Sequence, residues 1–109
     1  MANTFKLKTK ATVGVTTVGI YTAPAATTTV VIGITMANTS GSGVNVGVGI
    51  TRAGTTEDIK LLKNAPLPQG SSLEFMAGNK VVLEATDTLT VDSDTNNSVD
   101  AALTIMEIT

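Results

Sequence analysis

The side chains able to do chemistry fall into a few groups. Glu84 and Asp87 stand three residues apart, close enough for a general acid–base pair. Between two short strands the simpler reading is that they flank a turn, with Asp87 accepting bonds from nearby backbone amides. Asp92-Ser93-Asp94-Thr95-Asn96 has the spacing of the first half of a calcium loop. Asn97, however, stands sixth, where glycine is needed, and Leu103 twelfth, where a bidentate glutamate is needed. A solvated hairpin turn fits that run better. Serine and threonine are plentiful, yet a nucleophilic hydroxyl needs a base, and without histidine only Lys, Asp or Glu could serve. No Ser-x-x-Lys, Gly-x-Ser-x-Gly or N-terminal Thr arrangement is present. The absence of both cysteine and histidine excludes disulfides, thiolate chemistry and the usual zinc, copper and iron sites. No glycine-rich phosphate loop precedes a helix. The triplets Asn38-Thr39-Ser40 and Asn96-Asn97-Ser98 match a glycosylation pattern, but with no secretory signal in view they read as chance in a threonine-rich chain. This inventory predicts a protein that is not an enzyme and has no cofactor or metal.

Two further features have a structural reading, with contact to another macromolecule as the alternative. Lys6, Lys8 and Lys10 place three positive charges and no acid in the first ten residues, whereas the remainder has four basic and nine acidic residues, a net of -5. Lysines on an edge strand discourage sheet-to-sheet aggregation. They also offer an electrostatic contact to an acidic neighbouring subunit. Gly47 and Gly49 lie in the middle of a strand pattern, where they cost backbone entropy. Either that outer face is bare or bent at a bulge, or another backbone packs closely over it, as at a subunit contact.

The elements that must position these residues are strands. Residues 5–15 alternate, with Phe5, Leu7, Thr9, Ala11, Val13 and Val15 on one face and the lysines on the other, which predicts a half-buried strand. Residues 16–22 make a second strand or the return of a hairpin, stopped by Pro24. In 27–36, Val30, Ile32, Ile34 and Met36 point one way and Thr29, Val31, Gly33 and Thr35 the other. The turn Asn38-Thr39-Ser40-Gly41-Ser42-Gly43 leads to Val44, Val46, Val48 and Ile50, so the two runs read as a hairpin. Residues 58–63 form a short strand. Pro66 and Pro68 then hold an extended approach to Ser72-Leu73-Glu74-Phe75. Turns at Ala77-Gly78-Asn79 and Ala85-Thr86-Asp87 separate it from 80–84 and from 88–91, and a last strand runs from Val99 to the final residues.

Eight to nine short strands without a helix predict an all-β, single-domain antiparallel β-sandwich over residues 1–109, of jelly-roll or Greek-key type. At 109 residues the chain can bury a two-layer core without disulfides or metals. Threonine supplies about a fifth of the residues, a β-rich composition. There are three aromatics, Phe5, Tyr21 and Phe75, of which at least two read as inward. No run reaches the roughly 18 apolar residues of a membrane helix, and no apolar signal region opens the chain, so the protein is expected to stay where it is made. A net charge of -2 argues against dedicated nucleic-acid binding.

The opening Met-Ala-Asn-Thr-Phe-Lys-Leu-Lys-Thr-Lys resembles small virion structural proteins of tailed bacteriophages, particularly those of cyanophages and related marine phages. So do the run from Tyr21 to Gly43, the Pro-Leu-Pro-x-Gly-Ser-Ser-Leu-Glu and Lys-Val-Val-Leu-Glu-Ala-x-Asp-Thr-Leu-x-Val segments, and the closing Glu107-Ile108-Thr109. This chain has Ala85-Thr86-Asp87 where such proteins often read Ala-Gly-Asp. The resemblance spans essentially the whole chain and transfers no catalytic residue. It implies a non-enzymatic virion component, assembled in the host cytoplasm and sited on the capsid surface as a decoration (cement) protein. Its partners would be the major capsid protein and copies of itself, as a trimer or other homo-oligomer, with Lys6, Lys8, Lys10, Gly47 and Gly49 as the interface candidates. A neck, tail or baseplate accessory protein is the alternative, and a host-facing carbohydrate-binding module a weaker one, since sugar platforms favour exposed aromatics.

Overall fold

Alternating β-branched residues between polar turns make strands, and each strand must then bury one side. The computed structural model describes residues 3–53, 58–75 and 80–109. Among these residues there are nine strands and no helix: β1 (Asn3–Val13), β2 (Val18–Thr22), β3 (Thr28–Asn38), β4 (Val44–Thr51), β5 (Asp58–Leu67), β6 (Ser72–Phe75), β7 (Val81–Leu83), β8 (Thr88–Ser93) and β9 (Val99–Ile108). The expected Ala77-Gly78-Asn79 turn lies outside the described residues.

Two antiparallel sheets form. The first has the order β1-β9-β3-β6, with β7 also paired to β3, and the second has the order β2-β8-β4-β5. The pairings nest, β1 with β9, β2 with β8, β3 with β6 and β7, β4 with β5. A long antiparallel ribbon rolled on itself gives this order, the jelly roll. Here the ribbon strand opposite β3 is broken in two: β6 covers Ile34–Ala37 and β7 covers Thr29–Val31.

This topology corrects two local expectations and decides between the two readings of a third. Residues 27–36 and 44–50 are not a hairpin, because β3 and β4 belong to different sheets. The intervening turn is a crossover built on Asn38, a buried side chain with all its polar atoms engaged. Its Nδ2 donates to the carbonyls of Ser42 (2.8 Å) and Leu67 (3.0 Å), and its Oδ1 accepts from the Ser40 amide and hydroxyl. The Asp92–Ser98 turn likewise carries the chain from β8 in one sheet to β9 in the other. In it the Ser93 and Ser98 hydroxyls lie 2.7 Å apart, and their amides donate to Gly14 and Val13 of the adjacent crossover. Finally, β2 does not return against β1 but enters the second sheet.

The core lies between the sheets, with Val31, Ile34, Met36, Leu83, Leu103 and Ile105 from the first packed against Val46, Val48, Leu89 and Val91 from the second. Its phase differs from strict alternation in β3. Against β9 the register passes from Val31↔Ile105 to Gly33↔Thr104, so Ile32 is an extra, bulged residue. Thr29 and Val31 therefore face inward together with Ile34 and Met36, and Val30 turns out.

Gly47 and Gly49 are buried in β4. The backbone close to them is β5 of the same chain. A Cβ at position 49 would stand 2.8 Å from the Ile59 carbonyl, and one at position 47 would stand 2.5 Å from Asp92 Oδ1 and 3.2 Å from the Leu62 carbonyl. β5 carries two register shifts opposite these glycines, with Asn64 left-handed (φ 54°). As an edge strand it also accommodates Pro66, paired with Asn45.

Two stability predictions follow from backbone geometry. Gly49→Ala meets a carbonyl that cannot swing away and should cost about 1–3 kcal/mol, more than Gly47→Ala, whose nearest neighbour is a movable side chain. Thr86 is a β-branched residue held at φ 67°, so Thr86→Gly should raise stability by about 1 kcal/mol. Urea midpoints of the three variants check both, and a Thr86→Gly midpoint at or below that of the wild type would contradict the strain.

Candidate interaction surface

Among the described residues two buried carboxylates, Glu107 and Asp87, are held in structural contacts. Glu107, near the end of β9, is buried beneath the edge of the first sheet. Its Oε2 accepts the Tyr21 hydroxyl at 2.6 Å, and its Oε1 meets Lys6 Nζ at 2.9 Å. Tyr21 belongs to β2, so this bond pins one sheet to the other. With the tyrosine proton given to Glu107, Thr29 Oγ1 donates to the phenolic oxygen at 2.8 Å. The Tyr21 bond, and then Lys6, hold the Glu107 carboxyl below the ordinary glutamate range despite its burial. Burial and the bond to Glu107 push the Tyr21 hydroxyl up to about 12.

Asp87 is the second buried acid. Its Oδ1 accepts the Ala53 amide and its Oδ2 the Glu84 amide, both at 3.0 Å, and Arg52 Nε lies 3.1 Å from Oδ2. Arg52 also reaches Glu84 through Nη2 at 2.6 Å. Burial opposes ionisation of Asp87, but the two amides and Arg52 outweigh it and keep the carboxyl below its usual value. Glu84 and Asp87 thus frame a turn, with Asp87 as the amide acceptor, and are not arranged as an acid–base pair. Asp94 Oδ1 accepts the Asn45 amide, while Asp92 Oδ2 accepts Thr17 Oγ1 and lies 4.0 Å from Lys60 Nζ. The two carboxylates of the calcium-like run are therefore spent on separate contacts.

The distinctive surface is the outer side of the first sheet. Residues paired across an antiparallel ladder share a face. Lys6, Lys8 and Lys10 pair with Ile105, Leu103 and Ala101 and so lie on the inner side, at the sheet edge, while Phe5 and Leu7 pair with Met106 and Thr104 on the outer side. This inverts the expected orientation of β1. An extra residue between Lys10 and Val13, where Thr12 is left-handed (φ 55°), returns Val13 to the core. Phe5 and Leu7 are 68% and 65% exposed. From Phe5 the outward row continues in register through Met106 and Val30 to Val82, which is 55% exposed. The outward row of the second sheet, by contrast, is polar and small: Thr88, Thr90 and Asp92 of β8, flanked by Gly19, Gly47 and Gly49. Of the aromatics, Tyr21 is inward and Phe5 outward, and the side chain of Phe75 lies outside the described residues.

The lysines of β1 and the glycines of β4 are not brought together, since they sit in different sheets. The apolar outer face was missed in the sequence because an alternating strand shows that it has two sides and not which one is covered. The signals available were the adjacent apolar residues Val30-Val31-Ile32 and Val81-Val82, which place a branched side chain on both sides of a strand.

No family model matches the chain, and no curated protein matches it in sequence. Solved structures do share the fold. One, described as belonging to Bacillus endospore appendages that form a family of disulfide-linked pili, aligns with a TM-score of 0.57 at 17% identity, covering 99% of this chain and 87% of that one. Another comes from the structure of infectious bursal disease virus, Gx strain, with a TM-score of 0.58 at 14% identity, covering 96% of this chain and 32% of that one. The chain thus spans about a third of the length of the viral chain it resembles.

The Tyr21–Glu107–Lys6 group predicts how stability depends on pH. Asp87 and Glu107 have folded-state values below those of the unfolded chain, so their contribution is complete above the ordinary carboxylate range and is lost as the pH falls below about 4. Tyr21 is raised, so its contribution is complete below about 10 and is lost as the pH rises towards about 12. Tyr21→Phe should cost about 1–2 kcal/mol at neutral pH and flatten the alkaline limb. Thermal melts from pH 2 to 12 test this, and an unchanged alkaline limb in Tyr21→Phe would refute the assignment.

Proposed function

We propose that this protein is a non-enzymatic structural component of a bacteriophage particle, a capsid decoration protein that binds the major capsid lattice through β1. The observation that carries this reading is the character of that strand. It pairs with β9 on one side and with no strand on the other among the described residues, leaving an edge eleven residues long. Lys8 and Lys10 project beside that edge with no acid at ion-pair distance among the described residues, whereas Lys6 is engaged by Glu107. An open ladder flanked by lysines suits an extended, acidic segment of a neighbouring subunit, with main-chain bonds supplying affinity and charge supplying selectivity. A rigid jelly roll loses little entropy on docking, and many copies on one lattice turn weak contacts into firm attachment.

The settings named for the two structural neighbours, a pilus and a virus, are in keeping with a building block of a larger assembly. Disulfide linkage, part of the description of the pili, is not open to these 109 residues, which contain no cysteine. The likeness to an appendage protein over nearly its whole length favours a neck, tail or baseplate accessory role as the second reading. A sugar-binding role has less support, because Phe5 is the one exposed aromatic among the described side chains.

Cryo-electron microscopy of purified phage tests the proposal. The expected result is density repeating over the icosahedral capsid lattice, with β1 facing the capsid protein. Density confined to the neck or tail would transfer the protein to the accessory reading, and absence from the particle would refute both. The double variant Lys8→Gln/Lys10→Gln, which removes both charges without setting an acid beside Glu107, should fold normally and lose roughly tenfold in lattice binding at low salt. Unchanged binding would remove β1 as the contact.

A further inference from the structure

The outer face of the first sheet is apolar, carries few charges and is uneven in a particular way. At one level of the strands Phe5, Met106, Val30 and Val82 lie side by side across β1, β9, β3 and β7 as a ridge of large side chains. Four residues further along β1 the same face is built of small ones bordered by an acid: Thr9 pairs with Ala102, Ala102 with Thr35, and Thr35 with Glu74. Together with Ala11 and Ala37 these floor a trough of about 320 Å³. The row of Leu7, Thr104 and Gly33 lies midway between ridge and trough.

We infer that this face is the contact between two copies of the chain, related by a two-fold axis lying across the strands at the level of Leu7 and Thr104. Such an axis reverses the strand direction, so the ridge of each copy settles onto the trough of the other, and every contact occurs twice. Packed sheets stand about 10 Å apart, a gap that large side chains opposite small ones fill. The arrangement opposes no charge to itself. Glu74, at the trough end, comes to lie over Val82 of the partner, which has Lys80 and Glu84 two residues to either side, and Asp100 is already bonded to the Thr12 amide at 3.0 Å. The molecule measures 45 × 28 × 22 Å. Its two longer dimensions bound an area greater than the roughly 800 Å² that each partner commits to a stable interface. The polar outer face of the second sheet has no such pattern, and a second copy there would place Asp92 and Lys60 in the contact. The inference is independent of any particle the protein binds, because it concerns the chain in solution.

Sedimentation velocity of the full chain over a concentration series tests it. A dimer is expected at micromolar concentration. Val82→Asp, on the ridge, and Ala102→Leu, which fills the trough from the other end, should each weaken it roughly tenfold or more. Thr90→Asp on the opposite face should leave it intact. Circular dichroism and melting temperature establish that each variant is folded. Since the chain has no cysteine, Thr104→Cys introduces a single thiol at the axis, and a short bismaleimide should join two such copies, whereas Thr90→Cys should remain unlinked. A wild-type chain that stays monomeric at tens of micromolar, or a dimer indifferent to both Val82→Asp and Ala102→Leu, would overturn the inference whatever becomes of capsid binding.

Discussion

A thin core between two sheets leaves no latitude about which side of each strand faces in. The one extra residue in β3, Ile32, is what reconciles this chain with that constraint. It allows Thr29 and Val31 to face inward before it, and Ile34, Met36 and Asn38 after it. Without it, a strand of this sequence would expose either Val31 or the Ile34–Met36 pair. β3 is bordered by β9 on one side and by β6 and β7 on the other, so its phase is passed to three neighbours. The outer row that includes Val30 and Met106 is the other side of the same bargain.

Two buried carboxylates join parts of the ribbon that are remote in sequence. Glu107 ties β9 to β2 of the opposite sheet and to β1 beside it, while Asp87 ties the turn after β7 to the segment following β4. Breaking a buried pair by removing one member is costly, yet the intact pair adds little over an apolar replacement. Their role is positional. Each carboxylate accepts bonds that are available in one register and would be lost by a slip of one residue, which would turn the acid to the other side of the sheet.

Much of the architecture was legible in the sequence, and its gaps have physical causes. The strand content, the short strands between residues 72 and 91 and the role of Asp87 in its turn are local properties of residue type, and they could be read directly. The partner of each strand is not local. The Asn38–Gly43 turn has the composition of a hairpin, yet whether such a turn joins neighbours in one sheet or leads to the facing sheet depends on strands that come much later. The orientation of β1 was hidden for a related reason. Lysines would ordinarily face water, but at a sheet edge their long stems let the charge escape while the backbone points them inward, and one of them finds Glu107. Of the residues singled out in advance, the lysines emerged at an edge and the glycines under β5, and the face formed by Phe5, Met106, Val30 and Val82 became visible once the register was known.

The pairing of Asn3 with Ile108 gives the fold a mechanical character. The outer ends of β1 and β9 lie next to each other, so a load applied between residues 3 and 108 acts across their ladder at one end. Antiparallel neighbours pulled this way open like a zipper, one pair of bonds at a time, whereas strands pulled lengthwise share the load over many bonds at once. A molecule tethered at these two points would yield softly from β1 inward. The same domain held by its broad faces, with force passing through the stacked sheets, would resist as a block.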